Sequence, residues 1–251
     1  MTAQQVEQCD VAVIGAGPGG STAAALLARR GYRVIVLEKA RHPRFHIGES
    51  LLPMNLPVFE RLGVLDKVHA MGVFKAGADF EADNERGYNV FSFGRALGDS
   101  PPHSYQVWRQ DFDQMLCEHA RECGADVREG QQVVAVEQRG PRQTRIEVHA
   151  DDGAEHAIEA RYLVDASGRD AFLSTKHKLK RRNRQHQSAA LFSRFRHAAR
   201  RSGEDAGNVS IYRFEHGWMW MIPLPDDSMS VGAVCWPDYL KQRHGDTRAF
   251  L

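Results

Sequence analysis

The residues best suited to chemistry stand near the start of this 251-residue chain. Gly15-Ala16-Gly17-Pro18-Gly19-Gly20 fits the spacing GxGxxG, and Glu38 follows Gly15 by 23 residues. That pattern suits an adenine dinucleotide. Gly15 permits a tight turn, Gly17 lets the backbone approach a pyrophosphate, and Gly20 lets a helix pack close to a strand. The helix N-terminus then offers free N–H groups and the positive end of its dipole to phosphate oxygens. Gly15, Gly17, Pro18, Gly20 and Ser21 are the candidate contacts on that side. Glu38 can accept hydrogen bonds from ribose hydroxyls, and an acid there disfavours a 2′-phosphate, which argues against NADP. The competing reading is a glycine-rich turn in an unrelated α/β fold.

The flanking elements must supply strand, turn, helix and strand. Residues 10–15 are an apolar, β-branched run ending in glycine, and 33–38 are a second such run ending in the acid. Both read as buried strands. Residues 18–30 read as a helix rich in small side chains, stopped by Gly31, with Ala24 one turn after Gly20. Helical periodicity over 51–70 is broken at Pro57 and Gly63. From 73 to 108 short alternating segments predict antiparallel strands. Residues 110–123 form an amphipathic helix with Phe112, Met115, Leu116 and Ala120 on one face. Strands are predicted near 125–128, 132–138, 144–149 and 161–166, with a hairpin turn at Asp151-Asp152-Gly153. Later, 208–214, 217–223 and 229–236 read as further strands, and the residues from Tyr239 onward as helical.

A mixed parallel sheet followed by an antiparallel one predicts a mixed α/β (α+β) chain. The expected division is a Rossmann-like nucleotide domain over 1–175, with an antiparallel insertion at about 73–108. An antiparallel-sheet substrate domain would occupy 176–251. The 33 basic and 32 acidic side chains nearly cancel, so charge gives no argument for nucleic acid. No apolar run reaches the length of a membrane span, and the first ten residues lack the features of a secretory signal. The basic run Lys176–Arg184 reads as a solvated surface segment, because no aromatic side chains interleave it. Cys9, Cys117, Cys123 and Cys235 show no metal-ligand spacing, so no metal is expected. They read as reduced thiols of a cytoplasmic protein.

Three further stretches decide which dinucleotide is expected. They are Trp108-Arg109 with Asp111-Phe112-Asp113 and Leu116, Gly130 with Val133 and Val136, and Val164-Asp165-Ala166-Ser167-Gly168-Arg169. In this order, after a complete βαβ unit, the chain resembles the flavoprotein monooxygenases and the flavin-dependent halogenases built on the same core. The resemblance implies FAD. It maps a flavin-contacting arginine to Arg109, an adenine-side contact to Val133, and a second flavin motif to Asp165 and Gly168. Taken singly, Arg109 reads equally as a surface residue and Asp165 as a strand-end cap. His46-Ile47-Gly48-Glu49-Ser50 also resembles the family, where it passes along the isoalloxazine ring. Gly48 would allow close approach, and Ser50 could cap the next helix while its N–H meets the flavin.

Two segments narrow the chemistry. Gly217-Trp218-Met219-Trp220-Met221-Ile222-Pro223 matches GWxWxIP, a halogenase signature, and strand alternation puts Trp218 and Trp220 on one face. In the family these tryptophans sit near the flavin. Two tryptophans on one strand face are also ordinary core. Residues 72–80 resemble the halogenase stretch that carries an essential lysine, which maps to Lys75. Reduced flavin and O₂ would give a flavin hydroperoxide, and halide would attack it to give a hypohalous acid. A lysine can hydrogen-bond that acid or become a haloamine. Lys75 alone reads as a surface lysine on an edge strand.

Members of the family continue beyond the equivalent of Leu251 with a glycine-aspartate motif for FAD and with the halide site. The resemblance therefore implies a chain truncated at its C-terminal side, an incomplete second domain and weak FAD binding. One dinucleotide fingerprint leaves two main readings. A halogenase would receive FADH₂ from a separate flavin reductase, and an aromatic hydroxylase would use NAD(P)H. An isoprenoid-chain reductase and a non-catalytic flavin-binding fragment are the others. The implied substrate is an electron-rich aromatic ring, free or carrier-bound.

Overall fold

The computed structural model describes residues 6–181, 183, 185, 187–242, 245, 246 and 250. In chain order the first elements are β1 (Glu7–Ile14), α1 (Pro18–Ala28), β2 (Val34–Glu38), α2 (Leu56–Leu62), α3 (Leu65–Met71), β3 (Val73–Lys75), β4 (Gly77–Glu81), β5 (Tyr88–Ser92) and β6 (Ser104–Gln106). Next come α4 (Arg109–Glu122), β7 (Asp126–Glu129), β8 (Gln131–Gly140), β9 (Gln143–Ala150), β10 (Glu155–Asp165) and α5 (Phe172–Lys176). The last are β11 (Ala189–Phe195), β12 (Val209–Phe214), β13 (Gly217–Pro223), β14 (Met229–Cys235) and α6 (Pro237–Lys241). Contacts divide the chain into two units, Met1–His46 with Gln110–Arg181 and Ile47–Arg109 with Arg182–Leu251.

The first unit carries a six-stranded sheet in the order β7-β2-β1-β10-β9-β8. β7, β2, β1 and β10 run parallel, and β9 and β8 join antiparallel. All five residues of β2 are buried, as a central parallel strand requires. Ala12, Ile14, Ile35 and Leu37 pack with Ile146, Val148 and Ile158 in one core cluster. On α4 the buried stripe is Phe112, Asp113, Leu116, Cys117, His119 and Ala120, while Met115 is half-buried. The stripe is thus rotated from the face read by hydrophobicity, because Asp113 and Cys117 point inward.

The second unit holds another six-stranded sheet, β11-β14-β13-β12-β4-β5, and the pair β3–β6. Its strands are antiparallel except where β4 meets β12 in parallel. The segment read as an insertion into the first domain instead extends the second sheet through β4 and β5. The parallel contact between β4 and β12 joins strands about 130 residues apart, and such a long-range pairing leaves no mark in local periodicity. The helix over 51–70 breaks at Gly63, with φ +72°, but not at Pro57. Pro57 is the second residue of α2, where its missing N–H would have no partner anyway.

Trp220, Ile222 and Leu224 form one core cluster of this unit, and Met219 packs on another with Ala233, Cys235 and Leu240. The two faces of β13 therefore separate as alternation predicts. Of the basic run, Lys176 donates to the Val136 carbonyl and Lys180 to that of Arg169; Arg182 and Arg184 lie outside the described residues. α6 occupies the start of the region read as helical, whose positions 243, 244, 247–249 and 251 also lie outside the described residues. Among the described residues no helix is long and apolar enough to cross a membrane.

Candidate functional site

In the first unit the glycine turn joins the end of β1 to the start of α1. Gly15 has φ +94°, and a Cβ there would lie 2.6 Å from the Ala166 carbonyl oxygen. A Cβ on Gly20 would lie 1.9 Å from the Gly15 carbonyl oxygen, so α1 rests directly on the turn. Gly17 differs from both. It is extended, with φ −69° and ψ −179°, and the only atom within 4 Å of a Cβ there is Arg44 Nη2 at 3.5 Å. Nothing among the described residues demands glycine at 17, and the open space there suits close approach by a ligand. Pro18 takes the first turn of α1, where a missing N–H costs nothing. The buried Ser21 hydroxyl donates to Ala16 O at 2.9 Å.

Glu38 is buried at the end of β2. Its Oε2 accepts from Ala16 N at 2.8 Å and its Oε1 from Ala40 N at 2.9 Å. The carboxylate read as a ribose acceptor thus also fastens the glycine turn, and its remaining lone pairs leave room for a hydroxyl. Arg44 escaped the sequence reading. Its guanidinium lies 3.9 Å from Glu38 Oε2 and 3.6 Å from the fully buried Asp113 carboxylate, at the edge of Gly17. A cation in the loop after Glu38 was the available signal, and its neighbours Arg41 and His42 masked it.

Asp165 ends β10 and accepts from Ser167 N at 3.1 Å, Ser167 Oγ at 2.5 Å and Leu173 N at 2.8 Å. Burial opposes its charge, but the Ser167 hydroxyl and these two N–H groups hold its carboxyl below the usual range. Gly168 follows with φ +64°. Val133 is a core position of the same sheet.

One group in this unit resembles a metal site. Ligand atoms of His42, Cys117 and Glu129 lie within 4.8 Å of one another. Both Glu129 oxygens are already engaged, Oε1 by His42 N and Nδ1 and Oε2 by Arg121 at 2.8 Å. Burial pushes the Cys117 thiol up to about 11, far from the thiolate a metal needs. These residues make a hydrogen-bonded His42–Glu129 pair beside a buried thiol.

In the second unit Lys75 ends β3 with only 1% of its surface exposed. The edge-strand surface lysine is therefore not what the fold contains. Nζ donates to Ser50 Oγ at 2.8 Å and to the Leu51 carbonyl, and it stands 5.3 Å from the centre of the Phe93 ring. Burial alone lowers its pKa from 10.5 to about 8. Ser50 is not a helix cap: the cap position of the following short 3-10 turn falls on Leu52. The Ser50 hydroxyl serves Lys75 instead.

Arg109 Nη1 donates to Ile47 O at 2.7 Å. A Cβ on Gly48, which has φ +109°, would stand 2.9 Å from that guanidinium. Trp218 and Trp220 share a face of β13, with ring centres 5.9 Å apart and planes tilted by 52°. Trp220 is 8% exposed and Trp218 40%. A Cβ on Gly217 would lie 1.9 Å from Val234 O, and Ile222 is core, so packing accounts for two flanking residues of the GWxWxIP segment.

Residues 8–249 match the family described as FAD binding domain. The flavin-dependent halogenase armH3 of Armillaria mellea is 36% identical over 99% of this chain and 51% of its own length. Tryptophan 2-halogenase of Chondromyces crocatus is 34% identical over 93% of this chain and 44% of its own. The solved structure of CmlS, a flavin-dependent halogenase, superposes with a TM-score of 0.88 at 31% identity, over 97% of this chain and 44% of that one. The chain thus spans about half the length of the curated relatives it matches.

Proposed function

Because the chain belongs to the FAD-binding domain family, we propose that it serves a flavin-dependent halogenase acting on an electron-rich aromatic ring. FAD is the cofactor. What supports it at the turn is that a Cβ on Gly17 would meet only the end of Arg44 among the described residues, and that free N–H groups at the start of α1 and the Glu38 carboxylate are the groups an adenine dinucleotide uses. Asp165, Gly168, Val133, Arg109 and Ser50 are assigned to FAD by resemblance.

The observation that carries the halogenase reading is the burial of Lys75 without a carboxylate partner among the described residues. A buried ammonium costs stability, and no core needs one for packing. Reduced FAD, when bound, supplies the activation of O₂ that makes halide oxidation possible. What Lys75 contributes is a directed hydrogen bond. As an ammonium it has three N–H donors, of which Ser50 and Leu51 take two. As an amine it keeps a lone pair free. With a pKa of about 8, both forms are accessible near neutral pH. Either can hold a hypohalous acid toward a ring. The names of the curated relatives support the same reading.

A separate flavin reductase would supply the reduced cofactor. Four free cysteines, three of them buried, suit a cytoplasmic location. The test is to supply the protein with FAD, a reductase, O₂ and bromide, and to analyse indole, phenol and pyrrole substrates by mass spectrometry. A brominated product that disappears without bromide is expected. A hydroxylated product formed with or without halide would assign the protein to the aromatic hydroxylases.

A further inference from the structure

We infer that Glu49 is a positioning residue that fixes the plane of the Trp220 indole through the Ser230 hydroxyl, leaving Trp218 as the tryptophan free to meet a ligand. The functional half of this statement rests on the proposed flavin chemistry, and the positioning half does not.

Three features seat the Trp220 ring. It stands opposite Gly232 of β14, and a Cβ there would lie 2.2 Å from Trp220 Cζ2, so the indole lies across the bare backbone. Its Nε1–H donates to Ser230 Oγ at 3.2 Å. The single Ser230 proton then goes to Glu49 Oε1 at 3.4 Å. The direction is fixed at both ends, because an indole N–H only donates and a carboxylate only accepts. Glu49 is itself held, with Oε2 accepting from Gly48 N at 3.0 Å and its carbonyl accepting from Val107 N at 2.8 Å.

Glu49, Ser230 and Trp220 are all buried, at 3%, 1% and 8% exposure. Among the described residues the partners of the Glu49 carboxylate are Gly48 N and Ser230 Oγ, neither of them a cation. Burying a carboxylate without a cation is costly, and a neutral side chain would serve a bond of purely structural purpose. Chain position adds to this. Ser50, the next residue, accepts a hydrogen bond from Lys75 Nζ, so consecutive side chains of one short segment hold the lysine and the tryptophan. Among the described residues Trp218 has no such anchor, and its side chain is partly exposed on the same face.

The two indoles are close and tilted enough for their transitions to couple, which gives a couplet in far-ultraviolet circular dichroism. Trp218→Phe defines its full amplitude by abolishing it. Ser230→Ala is expected to lose about half or more of the couplet, because the outer torsion of a tryptophan is broad once unpinned. Glu49→Leu should lose as much, the double variant no more than either, and Ser230→Thr should restore the signal. Full amplitude in a folded Ser230→Ala protein, or a loss in Glu49→Leu alone, would overturn the inference. If Glu49→Leu fails to fold, Glu49→Ala takes its place, and full amplitude in a folded Glu49 variant would overturn the inference. The measurement uses neither flavin nor halide, so a failure to halogenate leaves it standing, and its failure leaves the halogenase reading untouched.

Discussion

The glycine turn of the first unit and the Lys75–Trp220 segment of the second are built from different materials. The turn is backbone: carbonyls and N–H groups brought close by missing side chains, tied by one carboxylate. The second region is made of side chains, an amine, two hydroxyls, a carboxylate and an indole, each held by another. Backbone sites tolerate few residue types at each position, so their chemistry is written locally. Side-chain sites take their character from burial, which the whole fold decides. The same difference separates how each should respond to mutation.

The largest expected effect breaks the turn. Gly20→Ala places a Cβ 1.9 Å from a backbone oxygen that cannot move aside, so a loss of roughly 4 kcal/mol or more is expected, read as failure to give a cooperative melt. A stable Gly20→Ala protein would show that the turn is looser than described.

Lys75→Met should act in the opposite direction. The folded lysine releases its proton near pH 8 and the unfolded one near 10.5. The unfolded state therefore binds more protons between these values, and wild-type stability rises with pH across that window. Below it the burial cost of about 3 kcal/mol is fully present. Removing the charge, less the two hydrogen bonds lost, should stabilise the protein by about 1 to 3 kcal/mol at pH 7 and flatten the rise, as read by urea unfolding at several pH values. An unchanged slope would place Lys75 in water.

Glu38→Gln comes next. Its amide would turn a donor toward Ala16 N or Ala40 N, at a cost of about 1 to 2 kcal/mol in thermal unfolding. The smallest stability effect belongs to Gly17→Ala, within about 1 kcal/mol, since the new methyl meets only the end of Arg44. Its FAD affinity should nevertheless fall tenfold or more by fluorescence titration. Equal affinity would move the pyrophosphate away from Gly17.

The first unit was legible because Gly15, Gly20 and Glu38 each do a backbone task that few residues can do. The buried runs of β1, β2 and β10 marked them as strands of a parallel sheet, while their order came from the structure alone. Three readings failed where distant chain decides. β4 and β5 joined the second sheet through a parallel contact with β12, invisible to alternation. Asp113 turned inward to Arg44, against its hydropathy. Ser50 met Lys75 instead of capping a helix, because β3 brings the amine to it. The burial of Lys75 could not be read from residues 72–80, which show only a lysine in a short strand. The resemblance supplied what spacing alone did not.

The most direct test of the central claim is a single turnover of protein carrying reduced FAD with O₂, bromide and indole. Wild type and Lys75→Met would be compared, with flavin reoxidation and brominated product measured separately. The account predicts similar reoxidation in both proteins and a product yield at least about a hundredfold lower in the variant, a loss of roughly 3 kcal/mol of transition-state stabilisation. Equal bromination by the two proteins would contradict it.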